Sequence, residues 1–371
     1  MRILITGAHL TPALAMIDYI QEKHSEDDLV FVGRLYSQEK LKQKAVEKDE
    51  VEKRGVKFIS FEAVKFVNKG PIDALRSLVF FPTTVKEARS ILKREKIDLF
   101  LSFGSYLAVP FAIAAKGLKI PVITHEQTIA MGKANQFIAG LSNEVAISYQ
   151  ETATYLKKDN FTLTGNPVRK RIFAKDLKKP SWFKTDKRKI ILVMGGNQGS
   201  FVINKVVKNI LSDLLKDFVV IHQCGRANEI KDYPKELKKY RSSLKKDLRE
   251  NYFIKEWIAE EDLFWIYQHA NFAISRAGAN SVLELSLAPL PAILIPLANA
   301  FNDEQAKNAE MMENLGGAIV IEQKALNEAV LLETVGVLNR DYKEMRKSLS
   351  KHSFINNVEA NIYSLISKYK N

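Results

Sequence analysis

The sequence is poor in residues that staple, chelate or span. Of its 371 residues only Cys224 is a cysteine. No intramolecular disulfide can form, a secreted, stapled fold is excluded, and the chain suits a reducing cytosol. No run approaches the roughly 18 consecutive apolar residues of a spanning helix, which leaves only peripheral membrane contact. His-x-x-x-His, Cys-x-x-Cys and Asp-x-Asp are all missing, so neither a metal site nor a metal-held diphosphate is supported, and no cofactor is expected. His24, His222, His269 and His352 form no pair at metal-ligand spacing. The opening residues Met1-Arg2-Ile3-Leu4-Ile5-Thr6-Gly7 carry no cleavage site and no long apolar core, and read as a first buried strand.

What is present is ordinary in composition and unusual in charge. With 46% hydrophobic and 27% charged residues the chain is globular in type, and its length suits two domains. Lys and Arg number 56 against 43 Asp and Glu, a net charge of +13. That excess points to an anionic partner: nucleic acid, a phosphorylated small molecule or an acidic membrane surface.

Short apolar runs alternate with amphipathic stretches. Strands are expected over residues 2–6, 29–32, 57–61, 98–103, 121–124, 145–148 and 161–164, with helices over 12–22, 83–95 and 108–116. The rhythm breaks at Gly165-Asn166-Pro167 and a lysine-rich stretch. It resumes with strands over 189–194, 218–222, 251–255, 272–275, 292–295 and 318–321, and helices over 201–215, 279–287 and 304–314. This is an α/β chain with two doubly wound parallel sheets. The expected division is an N-terminal domain over 1–167, a basic linker over 168–189, a C-terminal domain over 190–340 and a helical segment over 341–371. Ligands of such sheets bind at the carboxyl ends of the strands, so the active site is expected in a cleft between two facing domains.

Four clusters lie at such strand ends. Gly195-Gly196-Asn197-Gln198-Gly199-Ser200 runs from a strand into a helix, where glycines let backbone amides approach phosphate; a tight turn without ligand is the alternative. Arg276-Ala277-Gly278-Ala279 repeats the pattern, with Glu284 one turn on. Arg276 suits a diphosphate and Glu284 a ribose diol, or both are solvated surface groups. Gln305 and Asn308 share the first turns of a later helix, as caps also do. His125-Glu126-Gln127-Thr128 follows a first-domain strand, and His9 follows the first strand. Either histidine suits acid–base work, with a structural histidine the equal alternative at His125.

Together these motifs resemble glycosyltransferase family 28, the GT-B enzymes that transfer N-acetylglucosamine in peptidoglycan synthesis, and the likeness runs over nearly the whole chain. It rests on Gly104-Ser105-Tyr106 with Pro110, His125-Glu126-Gln127, Gly132 with Asn135, Thr164-Gly165-Asn166-Pro167-Val168-Arg169, Gly195-Gly196 with Gln198-Gly199 and Asn204, Arg276-Ala277-Gly278-Ala279 with Glu284, and Gln305 with Asn308-Ala309. The resemblance implies a GT-B fold of two Rossmann-like domains. UDP-N-acetylglucosamine would bind the C-terminal domain through Arg169, Gly195, Gly196, Asn197, Gln198, Gly199, Asn204, Ile258, Arg276, Gly278, Ala279, Glu284, Gln305 and Asn308. It places Arg276 and the glycine turn at the diphosphate, Glu284 at the ribose, Gln305 at the sugar and Ile258 at uracil. The N-terminal domain would take a polyprenyl-diphosphate-linked muramoyl-peptide beside Tyr106, His125 and Asn135, with His9 as base and Glu126 as second candidate. The implied reaction is inverting transfer to the muramoyl 4-hydroxyl at the cytoplasmic face of the membrane. A related transferase with another lipid or glycan acceptor, and a non-catalytic homologue that binds nucleotide sugar, are the alternatives.

The chain departs from the family at four places. Only Gly7-Ala8 separate Thr6 from His9, four residues fewer than the family's Thr-Gly-Gly-Gly-Thr-Gly-Gly-His loop. Thr128 and Asn197 replace an asparagine and a serine, and Asp303-Glu304-Gln305 stands for Asp-His-Gln. The donor half is thus better kept than the acceptor half.

The charge is concentrated. Residues 64–96 carry 8 basic against 3 acidic groups and residues 169–189 carry 10 against 2, together the whole excess. The basicity is therefore not a diffuse nucleic-acid field, and no recognition motif supports nucleic-acid binding. In the first stretch Ile72, Leu75, Leu78, Val79, Phe80 and Phe81 interleave with Lys65, Lys69 and Arg76, which suits an anionic membrane surface or an ordinary core-facing helix. Phe80-Phe81-Pro82 is awkward to bury as regular structure.

Overall fold

Near-continuous apolar strands such as Arg2–Thr6 and Lys189–Met194 bury both faces, as parallel strands covered by helices must. The computed structural model describes residues 1–7, 10–38, 43–44, 46–63, 71–184, 188–196, 199–226, 232–298, 300, 303–352, 355 and 357–370, with the side chains of 36–46 and 71–80 outside the description. The chain forms two units, one of Met1–Arg169 with Ile355–Asn371 and one of Lys170–Phe354.

In the first unit the order is β1 (Arg2–Thr6), α1 (Leu10–Lys23), β2 (Asp28–Gly33), β3 (Tyr36–Gln38), β4 (Gln43–Lys44), α2 (Val46–Glu52), β5 (Lys57–Ser60), α3 (Pro71–Arg94), β6 (Leu99–Ser102), α4 (Ala108–Gly117), β7 (Val122–Glu126), α5 (Lys133–Leu141), β8 (Glu144–Ile147) and β9 (Phe161–Leu163). Its main sheet is parallel with strand order β5-β2-β1-β6-β7-β8-β9; β3 and β4 pair separately, antiparallel. Alternation along β1 sends Ile3 and Ile5 to one face and Leu4 to the other.

The second unit runs β10 (Lys189–Met194), α6 (Phe201–Asp217), β11 (Phe218–Gln223), α7 (Tyr233–Ser243), α8 (Lys246–Arg249), β12 (Tyr252–Lys255), α9 (Glu260–His269), β13 (Phe272–Ser275), α10 (Ala279–Leu287), β14 (Ala292–Leu294), α11 (Glu304–Asn314), β15 (Ala318–Val320) and α12 (Glu328–Ser350). Its parallel order is β12-β11-β10-β13-β14-β15. Both sheets reverse winding direction beside their first strand, between β1 and β6 and between β10 and β13, and ligands bind at the carboxyl ends of strands at such points. The last helix, α13 (Val358–Ser367), belongs to the first unit, where Ile362 and Ile366 join the core of Ile3 and Ile17.

Two stretches differ from the sequence reading. Residues 170–184, part of the stretch read as a basic linker over 168–189, pack into the second unit: Ile172 and Phe183 lie in its core, and Trp182 Nε1 donates to Asp262 Oδ2 at 2.6 Å. The aromatic pair Trp182-Phe183 carries more apolar area than a solvated tether leaves in water. The Phe80-Phe81-Pro82 sequence does not interrupt α3, which continues through Pro82. Pro82 supplies no N–H to the turn before it, and Thr84 Oγ1 donates to the Phe81 carbonyl at 2.7 Å. Residues 64–70 and the side chains of 71–80, on which the membrane-surface reading rests, lie outside the described residues. Among the described residues no helix is long and apolar enough to cross a membrane.

Candidate active site

The glycine turn sits at the carboxyl end of β10. Ser200 begins α6 by accepting from Ile203 N–H, and Ile203, Val207, Ile210 and Leu214 give the helix its buried stripe. A Cβ on Gly195 would stand 2.2 Å from Ser200 N, so the turn closes only on glycine there. Gly196 and Gly199 have φ of +79° and +75°. Gly199 N–H donates to the Gly196 carbonyl at 3.1 Å. Asn197 and Gln198 lie outside the described residues.

Next to this turn, at the end of β13, Arg276 is 9% exposed. Its Nη1 donates to the carbonyls of Ile295 and Pro296 at 3.1 and 3.2 Å. Burial lowers the pKa of this guanidinium, and neutral carbonyls leave a cation able to receive an anion. Gly278 caps α10, which starts at Ala279. One turn in, the buried Glu284 accepts from the Tyr267 hydroxyl at 3.0 Å through Oε2. Asn308 reaches from α11 to the Ala277 carbonyl at 3.1 Å, and Gln305 Oε1 accepts from Leu297 N–H at 3.0 Å. Two further candidates are packed inward. Ile258 has its side chain in the core and its N–H on Gln223 Oε1 at 3.0 Å. Asn204 is buried, with its amide on His222 and the Cys224 carbonyl. These residues gather at one edge of the second sheet; Arg169 belongs to the first unit.

In the first unit, His125 and Glu126 end β7. His125 Nε2 lies 2.9 Å from the Gly165 carbonyl; a carbonyl only accepts, so Nε2 carries the proton. This ties β7 to the Thr164-Gly165-Asn166 turn. Glu126 is 6% exposed. Its Oε2 accepts from Asn135 Nδ2 at 2.9 Å, and its Oε1 lies 2.8 Å from Thr128 Oγ1 and 3.1 Å from Thr128 N. Asn135 is itself held by Thr124 Oγ1 at 2.6 Å. Burial pushes the Glu126 carboxyl above its usual range, against the hydrogen bonds from Asn135 and Thr128 that draw it down. Thr128 Oγ1 is also 2.9 Å from the Ala130 carbonyl, so a neutral Glu126 can donate to Thr128 while Thr128 donates onward. His9 lies outside the described residues.

The raised Glu126 pKa has a measurable sign. A carboxyl whose folded pKa is raised favours folding below the ordinary carboxylate range and loses that contribution as pH rises through the folded value. The stability advantage of the wild type over Glu126→Gln should therefore shrink as pH rises above the ordinary carboxylate range, about pH 4, read by urea denaturation at each pH. An advantage constant with pH would contradict the shift.

Arg34 and Glu47 escaped the sequence reading, and so did the burial of polar atoms in its motifs. At the end of β2, Arg34 pairs with Glu47 through Nη2 at 3.3 Å. Burial lowers the Arg34 pKa, but Glu47 and the Tyr106 hydroxyl, both hydrogen-bonded to it, raise it on balance. Tyr106 is thereby anchored. Thr6 Oγ1, Gln127 Oε1 and both amide atoms of Asn166 are buried without a hydrogen-bond partner among the described residues. Such orphaned polar atoms are uncommon in folded chains and costly unless a ligand or water satisfies them. All three follow or end strands of the first sheet at its carboxyl edge. Burial of this kind leaves no mark on a sequence.

Comparison with known proteins agrees over both units. The family models described as glycosyltransferase family 28 N-terminal domain and C-terminal domain match residues 6–147 and 190–362. A UDP-N-acetylglucosamine--N-acetylmuramyl-(pentapeptide) pyrophosphoryl-undecaprenol N-acetylglucosamine transferase of Clostridium tetani is 32% identical over 99% of this chain and 98% of its own. The crystal structure of Acinetobacter baumannii MurG superposes with a TM-score of 0.67 at 22% identity, covering 99% of both chains. An S. aureus MnaA–UDP co-structure superposes with a TM-score of 0.70 at 13% identity over 99% of this chain and 96% of its own. These two structures share the fold.

Proposed function

This chain belongs to glycosyltransferase family 28, and from that premise we propose that it transfers N-acetylglucosamine, with inversion, from UDP-N-acetylglucosamine to the muramoyl 4-hydroxyl of undecaprenyl-diphospho-muramoyl-pentapeptide. The observation that carries the proposal is the edge of the second sheet, where a turn that tolerates only glycine stands beside the buried cation of Arg276 and the buried carboxylate of Glu284. Nucleoside diphosphate chemistry asks for these three parts: amides and a cation for the phosphates, and an acceptor for the ribose diol.

The second unit takes the donor. UDP gains charge as the glycosidic bond breaks, and preorganised amides of the turn with Arg276 stabilise that charge. Glu284, with one oxygen on Tyr267, accepts from the ribose hydroxyls, Gln305 meets the sugar, and Asn308 holds the turn that carries Arg276.

The first unit takes the lipid-linked acceptor. Thr6, Gln127 and Asn166 have hydrogen-bonding capacity to offer a polar ligand, and Tyr106, His125 and Asn135 stand on the same sheet edge. The acceptor hydroxyl attacks the anomeric carbon opposite UDP and gives up a proton. Glu126 has both oxygens engaged by Asn135 and Thr128, which suits a positioning role and leaves His9 as the base. The diphosphate lipid places the enzyme at the cytoplasmic face of the membrane as a peripheral protein.

Glu284 supplies the test of the donor reading. In Glu284→Ala the KM for the nucleotide sugar should rise by roughly tenfold to a hundredfold, the cost of two hydrogen bonds to a charged acceptor. Steady-state kinetics with varied UDP-N-acetylglucosamine measures it, and an unchanged KM removes Glu284 from the ribose.

A further inference from the structure

β11 ends in His222-Gln223, followed by Cys224, and the imidazole of His222 is fully buried. Its Nε2 lies 3.0 Å from Asn204 Oδ1 and its Nδ1 lies 2.8 Å from the Tyr252 hydroxyl. Asn204 decides which nitrogen is protonated. Its Nδ2 donates to the Cys224 carbonyl at 2.9 Å, so Oδ1 faces the ring and can only accept. Nε2 therefore carries the proton, and the bare Nδ1 accepts from Tyr252. Burial pushes the imidazole down to about 3, which keeps the ring neutral near neutral pH, the hydrogen-bond partners choosing the tautomer.

The other end of the network is the glycine turn. The Cys224 carbonyl held by Asn204 is the atom that a Cβ on Gly199 would meet at 2.1 Å. Any movement of that carbonyl is felt by the backbone at Gly199 and by the Ser200 amide that follows. By strand alternation His222 shares its sheet face with Phe218 and Val220, which lie with Tyr252 in the apolar core on that side of the sheet. An aliphatic side chain would fill the space there without needing partners, whereas a buried polar network must be satisfied throughout and in return fixes one geometry.

We propose that His222 is a positioning residue for the donor diphosphate: through Asn204 it fixes the Cys224 carbonyl against Gly199 and so sets the backbone there and the Ser200 amide that opens α6. The inference rests on reading that turn as the diphosphate site. The ring touches no substrate and transfers no proton.

The experiment compares the equilibrium affinities of the full chain for UDP and for uridine, which lacks the phosphates, by saturation-transfer NMR titration. In His222→Leu, UDP affinity should fall about tenfold, a scale that small misplacement of binding groups reaches, while uridine affinity stays as in the wild type. His222→Gln puts an amide N–H where Nε2–H stood and should restore most of the UDP affinity. Unchanged UDP affinity in His222→Leu, or an equal loss for UDP and uridine, overturns the proposal, the second result marking a merely structural histidine. If His222→Leu does not fold, Tyr252→Phe, which removes one hydroxyl, decides: a loss confined to UDP supports the relay, and no loss overturns it. A wild-type chain that binds neither ligand overturns the donor reading and this inference with it; wild-type binding with no change in the variants overturns the inference alone.

Discussion

Gly199→Ala is expected to lower kcat/KM for UDP-N-acetylglucosamine by roughly a hundredfold to a thousandfold, the range seen when one preorganised donor is removed from a charge-stabilising site. The new methyl would meet Cys224 O at 2.1 Å, Cys224 C at 3.0 Å and Gly225 Cα at 3.1 Å. All three obstacles are backbone, so nothing flexible can yield. The φ of +75° adds strain that an L-residue resists. Either the turn opens or the end of β11 moves, and both displace the amides proposed to meet the phosphates. Gly336→Ala in α12, with nothing within 4 Å of the added carbon, serves as the control and should gain about 0.5–1 kcal/mol of stability. Donor kinetics of Gly199→Ala equal to the wild type would contradict the account of the turn.

Asp27→Ala is expected to cost the first unit about 3–5 kcal/mol, the penalty for leaving buried partners of an ion pair uncompensated. The Asp27 side chain is fully buried and receives the Met1 nitrogen at 2.7 Å, the Tyr363 hydroxyl at 2.6 Å and Lys370 Nζ at 2.9 Å. The Tyr363 ring stacks on His24 with centroids 3.5 Å apart. One carboxylate thus fastens α13 to the start of the chain. Burial alone would raise the Asp27 pKa, but the hydrogen bonds from Met1, Tyr363 and Lys370 outweigh it, and the net shift is downward. A lowered carboxyl contributes its stability above the ordinary carboxylate range and loses it as pH falls through the folded value. The gap between wild type and Asp27→Ala should therefore be full near neutrality and close in acid. Urea unfolding at several pH values reads both, and a variant as stable as the wild type at neutral pH would contradict the clamp.

The sheets were legible because buried parallel strands write themselves as apolar runs. Arg2–Thr6, Lys189–Met194 and Phe272–Ser275 begin and end where the sequence places them. The short antiparallel pair of β3 and β4 was not, since Tyr36–Gln38 and Gln43–Lys44 carry no apolar alternation. Pro82 misled in the opposite direction, because a local signal for interruption lost to a helix that continues on both sides. In the candidate site, the turns around Gly195 and Arg276 could be found from glycines at strand ends. The role of His222 could not: a search for metal-ligand spacing passes over a lone histidine, and its partners Asn204 and Tyr252 are remote in sequence. Glu126 was legible as an acid–base candidate at a strand end, but its burial and the donors that occupy it, from Thr128 and from Asn135 on a separate helix, were not. His9, Asn197 and Gln198, all read from motifs, lie outside the described residues.

The central claim is the identity of donor and acceptor together, and one transfer assay addresses both. The full chain is given UDP-N-acetylglucosamine with undecaprenyl-diphospho-muramoyl-pentapeptide, and in parallel with a polyprenyl phosphate lacking the muramoyl-peptide, and the lipids are weighed by mass spectrometry. The account predicts that the muramoyl lipid alone gains one N-acetylhexosamine, with one UDP released for each. A sugar transferred only to the simpler lipid, or to neither, would contradict it.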